Sequence, residues 1–172
     1  MHRKPPLVTL LLGTACRGST TLPSITARQM NDADDAADEH SAPWMNDRAA
    51  IVAGCVAMFV AVAAGAFGAH ALQHTLAPQA LAVWHTAVQY QTWHALALIA
   101  AGLLMAQRAP GRGTRGLRIT AWLFVAGIVL FSGSLYALAL TGERWLGVVT
   151  PLGGVAFLAG WLLLARSAAL AR

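Results

Sequence analysis

Four imidazoles lie in the apolar part of the chain, at His70, His74, His85 and His94, and none has the company that imidazole chemistry requires. A zinc site needs four ligands, or three and an open position. His70 and His74 have the HxxxH spacing that places two rings on one helical face, but no glutamate lies between them as in HExxH. Cys16 and Cys55 show no ligand spacing, and Cys55, inside an apolar run, is expected to be a buried, inert thiol. Ser132 and Ser134 lack a His–Asp pair to activate a nucleophile. Glu143 is the only acidic residue after Asp47, so general acid–base work by paired carboxylates is not available. The expectation is a protein that is not an enzyme and carries no metal or cofactor.

The stretch VQYQTWH (88–94) is different. Tyr90, Gln91 and His94 stand three and four residues apart, so they share one stripe of a helix. They sit in the opening turns of a long apolar segment. Groups of this kind in a membrane helix either hydrogen-bond to neighbouring helices, contact a ligand or move protons. Interhelical hydrogen bonds in membranes contribute only about 0.6 kcal/mol each, so stability alone is a weak reason for a whole set of them.

The elements that position these residues follow from composition. Of 172 residues, 57% are hydrophobic and 11% charged, whereas soluble domains carry roughly 25% charged residues. Residues 1–44 are mostly polar and include DADDAADEH (32–40), a composition that buries too little apolar surface to order itself. They are expected to form a disordered extension, or to lie upstream of the true start, because MNDRAAIVAG from Met45 reads as a natural beginning. The six-residue apolar run at residues 7–12 is shorter than the roughly 7–15 residues of a secretion signal.

From residue 45 to 172 four apolar segments follow, at about residues 49–71, 86–107, 119–140 and 146–165. Each approaches the roughly 20 residues that cross a hydrocarbon core of about 30 Å, and within lipid an isolated span must be a helix. Pro78 suits a first helical turn, which would extend the second helix outward. The fold class expected is all-α, a four-helix transmembrane bundle. A ridge of Ala57, Ala61, Gly65 and Ala69 is expected to let a neighbouring helix approach closely, with Gly133, Gly153, Gly154 and Gly160 serving the third and fourth helices. Pro151 is expected at a helix start.

The pI of about 10.2 does not indicate nucleic acid, because the arginines flank apolar segments and form no aromatic-interleaved basic face. They indicate orientation. Arg48, Arg108, Arg112, Arg115, Arg118, Arg166 and Arg172 fall on one side of the four segments and Arg144 alone on the other, so both termini are expected to be cytoplasmic. Trp84, Tyr136 and Trp145 then fall near the outer interface, and Trp122 and Trp161 near the inner one. A cysteine introduced at position 143 should react with an impermeant maleimide in intact cells, and one at position 112 should not. The reverse pattern would overturn the orientation.

In that frame His70, Tyr90, Gln91, His94, Ser132, Tyr136 and Thr150 all belong to the outer half of the bundle, as one polar layer. They are the candidate ligand-binding or hydrogen-bonding residues.

GAFGAHAL (65–72), WHTAVQYQTWHALAL (84–98), LFSGSLYALAL (130–140) and VTPLGGVAFLAGW (149–161) together resemble the YgdD/YwdK-like family of small inner-membrane proteins, domain of unknown function 423. The resemblance covers about residues 45–166 and all four segments in order. Residues 1–44, His74 and His85 have no counterpart in its pattern. It implies a multi-pass protein of the bacterial cytoplasmic membrane, and it carries no reaction, substrate or catalytic residue.

The expected function is therefore a non-enzymatic membrane accessory or ligand-binding protein. Its partners would be the lipid bilayer, a small-molecule or lipid ligand, and a second copy or another membrane protein. The alternative is a carrier or oligomeric channel for a small solute or proton, with His70 and His94 titrating.

Overall fold

The structure is a computed structural model and describes residues 45–108 and 114–169. The expected disordered extension, Cys16, Arg112 and Arg172 lie outside these residues.

Helix α1 spans Asp47–His70, and the Asn46 side chain caps it by accepting from the Ala49 N–H at 2.8 Å. Asp47 in the first turn complements the positive end of the helix dipole. A short 3₁₀ turn, Leu72–His74, leads to α2, Pro78–Ala106, which has proline in its first turn. α2 thus starts at the first-turn proline, and APQALAVW extends the apolar segment that begins near residue 86 outward. Helix α3, Thr114–Gly127, runs through a π-helical stretch, Ile128–Gly133, into α4, Ser134–Thr141. The expected third segment is therefore one rod with a bulge in it. Gly142 ends it at φ 72°, the left-handed position that glycine occupies without strain. Helix α5, Leu146–Ala169, carries Pro151 in its second turn rather than at its start. The hydroxyl of Thr150 donates to the Leu146 carbonyl at 3.3 Å in the same turn.

Among the described residues the chain is helical with no strand. α1 packs on α2, α2 on the α3–α4 rod, and the rod on α5. Three helical stretches, 47–74, 114–141 and 146–169, are long and apolar enough to cross a membrane. The fourth helix of the bundle, α2, is equally long but less apolar than the other three. The reason lies in its position. α2 is covered on two sides, and Trp84, Gln91, His94, Leu98 and Met105 are all buried there. Gln91 and His94 meet protein before they meet lipid, whereas His85 and Gln89 are exposed.

The outward faces of α1 and α5 carry exposed Val52, Val56, Phe59, Val62, Leu152, Val155, Leu158 and Leu162. A surface this apolar is unfavourable in water and suited to acyl chains.

Close approach between helices is set by glycines, but not always the expected ones. A Cβ on Gly54 would lie 2.9 Å from the Ala95 carbonyl oxygen, and one on Gly102 would lie 2.9 Å from that of Asp47. The α1 ridge is therefore Ala50, Gly54, Ala61 and Gly68, all buried, while Gly65 is only half-buried and Ala69 is exposed. On α5, Gly153 meets the Phe131 backbone and Gly160 the Phe124 ring, as expected, whereas Gly154 meets only the edge of the Phe131 ring at 3.9 Å. In the third rod the notch is Gly127, against Phe157, and Gly133 faces outward.

Candidate functional site

His94 lies on the buried face of α2, turned toward α5. Its Nδ1 is 2.7 Å from the Tyr90 carbonyl oxygen, one turn back. A carbonyl can only accept, so Nδ1 carries the proton. The Trp161 indole Nε1–H, which can only donate, points at His94 Nε2 at 3.2 Å. The two contacts fit one neutral tautomer, with both nitrogens engaged. The ring lies flat on Phe157, with centroids 3.4 Å apart and planes 11° apart. A neutral, doubly bonded imidazole is the form that a membrane interior tolerates, because charge there is costly.

Gln91 and His94 share the stripe but diverge by about 60° around the helix axis. That angle is enough to send them to different partners. Gln91 Nε2 donates to the Ala57 carbonyl on α1 at 2.8 Å. Tyr90 stacks on Phe131 of the π stretch, with centroids 4.5 Å apart.

The remaining candidates do not join them in one layer. Ser132 and Tyr136 sit on consecutive turns of the third rod, and both hydroxyls are buried without a hydrogen-bond partner. The Tyr136 ring packs at 4.6 Å on Trp84, whose Nε1–H donates to the Ala64 carbonyl at 2.9 Å. Trp84 is thus a buried link between α2 and α1. The Thr150 hydroxyl shares a 2.8 Å hydrogen bond with that of Ser134, tying α5 to α4. His70 is exposed at the end of α1, and His74 pairs with its neighbour Gln73.

His94 stands about 24 Å along α2 from Pro78 and about 18 Å from Ala106, at 1.5 Å per residue. The expected layer in one half of the bundle is instead a series of separate contacts that runs past the middle of the helices, with His70 apart from it. Cys55 also departs from expectation, being exposed on the outer face of α1. Among the described residues no three His, Cys, Asp or Glu side chains come together.

Sequence reasoning missed the α5 partners. Phe157 and Trp161 are one turn apart, on the face that also carries Gly153 and Gly160 as notches. That spacing was the available signal, but Trp161 read more simply as an interface aromatic.

Between α2 and α5 lies an open cavity of about 510 Å³, within the usual range for small-molecule sites. Tyr90, Trp93, His94, Phe131, Phe157 and Trp161 form most of its wall, with Pro151 and Gly154 toward the α4–α5 loop. Its lining is overwhelmingly apolar, and no charged residue contributes to it.

Residues 64–154 match the family model described as "Protein of unknown function (DUF423)". The chain is 46% identical over 118 residues to the UPF0382 membrane protein YwdK of Bacillus subtilis, covering 69% of this chain and 94% of that protein. It is 45% identical over 116 residues to a UPF0382 membrane protein of Staphylococcus saprophyticus, covering 66% and 91%. A relative in Staphylococcus haemolyticus is 44% identical over 116 residues, covering 66% and 89%. No solved structure matches the chain.

Proposed function

The chain belongs to the DUF423 family of membrane proteins of unknown function, and from that premise we propose that it is a non-enzymatic protein that holds an apolar ligand within the bacterial cytoplasmic membrane. The observation that carries this reading is the aromatic cavity between α2 and α5. The space opens at the surface of the bundle, where an apolar molecule from the bilayer can enter it.

Orientation rests on charge. Arg48, Arg108, Arg115, Arg118 and Arg166 gather at the end of the bundle that holds both described termini, and Arg108 Nη2 donates to the Ser167 carbonyl there at 2.6 Å. Arg144 is at the other end, beside Glu143. The arginine-rich end is cytoplasmic by the positive-inside rule. The engagement of both His94 nitrogens favours binding over proton carriage, since a carrier histidine needs a nitrogen free to exchange its proton.

The test is purification of the full chain in native nanodiscs, followed by mass spectrometry of what accompanies it. A compound retained in stoichiometric amount, above its share of the bulk membrane, is the expected result. Lipids recovered only in bulk proportion would overturn the reading.

A further inference from the structure

We propose that the outward face of α2 is an interface between two copies of this chain, paired through a seam of Ala82, Gln89, Leu96 and Leu103. None of these four residues lines the cavity between α2 and α5, so pairing and ligand binding are separable.

The spacing of the exposed residues is the first observation. Ala82, Gln89, Leu96 and Leu103 are all exposed and stand seven residues apart. A repeat of seven stays on one side of a helix that coils gently around a parallel partner, so the four form one continuous seam. It runs for about 32 Å along α2, close to the roughly 30 Å of a hydrocarbon core. Leu96 is 54% exposed and Leu103 49%, so α1 and the third rod leave this face uncovered.

The second observation is the polar group in the seam. Gln91, two residues on, donates to the Ala57 carbonyl of its own chain, whereas the Gln89 side chain has no hydrogen-bond partner among the described residues. A Cβ on Gly65 would lie 3.5 Å from Val88, and Gly65 stands about 8 Å short of the outer end of α1 at His70. α1 is about 36 Å long, only about 6 Å more than the hydrocarbon core, so Gln89 lies within that core. An amide there has no water to bond with, and it gains by meeting another polar group across a helix interface. The exposed positions of α1 from 52 to 67 and of α5 from 147 to 162 include no glutamine, asparagine, histidine or charged residue. Gln89 thus sets the α2 face apart from the other two.

The partner follows from the chemistry of the seam. An amide both donates and accepts, so a glutamine complements a second glutamine across a two-fold axis. Positive-inside insertion gives every copy the same orientation, so two α2 helices meet parallel, with Gln89 opposite Gln89. A single polar residue in an otherwise apolar seven-residue repeat has this effect in coiled coils, where it fixes register and copy number. No charged residue lies on the seam, so two copies meet without like-charge repulsion.

The test is Förster transfer between donor- and acceptor-labelled copies of the full chain in phosphatidylcholine vesicles, diluted stepwise with lipid. Transfer in the wild type is expected to follow a monomer–dimer equilibrium. Gln89→Leu should weaken pairing about eightfold, which corresponds to two hydrogen bonds of the average strength found between membrane helices. Leucine is the more apolar side chain and Gln89 bonds to nothing in its own chain, so this variant should insert and fold. Register is read by disulfide crosslinking in a Cys16→Ser, Cys55→Ser background. Leu96→Cys and Leu103→Cys should give dimers, and Leu162→Cys on the free face of α5 should not. Transfer no greater than random proximity at every dilution, an affinity unchanged in Gln89→Leu, or crosslinking at 162 and not at 96 would each overturn the assignment. In cells, crosslinks from Leu96→Cys to a protein of different mass, in place of the dimer, would show another partner on this face and overturn pairing between copies.

Discussion

Gly153→Ala should lower the unfolding temperature of the purified protein in detergent, and Gly147→Ala should not. A Cβ at Gly153 would collide with the Phe131 backbone nitrogen and lie 2.8 Å from its Cα. Backbone atoms cannot swing aside as the end of a side chain can, so α5 and the third rod must separate. Overpacking of this kind costs about 1–3 kcal/mol. Alanine regains up to about 1 kcal/mol of helix propensity, and the balance remains destabilising. At Gly147 nothing lies within 4 Å, so only the propensity gain operates. Equal stability of the two variants would refute the close crossing. The effect extends to the cavity, because Phe131 both bears on Gly153 and forms part of the cavity wall. The π stretch at residues 128–133 brings the Phe131 backbone to this crossing, and π-bulges recur at functional positions for this kind of local re-aiming.

His94→Ala should destabilise the bundle by about 1–3 kcal/mol, because it removes the buried ring stacked on Phe157 and takes the acceptor from the half-exposed Trp161 N–H. His94→Phe retains the stacking surface and loses only the polar contacts, so it should cost less than the alanine variant. Unfolding in mixed micelles, with Trp161→Phe made alone and in each background, separates the contributions. The coupling between positions 94 and 161 should be near the 0.6 kcal/mol or so typical of interhelical hydrogen bonds in membranes. Strict additivity would mean that the two side chains do not interact. A His94→Ala protein as stable as the wild type would remove the structural role assigned to the ring.

The chain by itself determined its class. With 11% charged residues and four long apolar segments, a helical membrane bundle is the architecture that satisfies the backbone in lipid, and the family resemblance followed from motifs within those segments. Helical periodicity also placed Tyr90 and His94 on one stripe and marked Gly153 and Gly160 as points of close packing. Periodicity, however, gives only an angle about a helix's own axis. Which neighbour stands at that angle depends on the order of helices around the bundle and on their axial shift. The fold therefore decided that Gln91 reaches Ala57 while His94, about 60° away, reaches Trp161. Likewise it left His70 outside at the end of α1, and it buried Trp84 against the Ala64 carbonyl. Hydropathy could not show that Gln91 and His94 would find protein neighbours on two different helices, which satisfy polar groups that lipid would not. The π stretch was also illegible, since IVLFSG has the composition of any apolar helix. Within it Phe131 packs between Tyr90 and Gly153, contacts that exist only once α2, the third rod and α5 have come together.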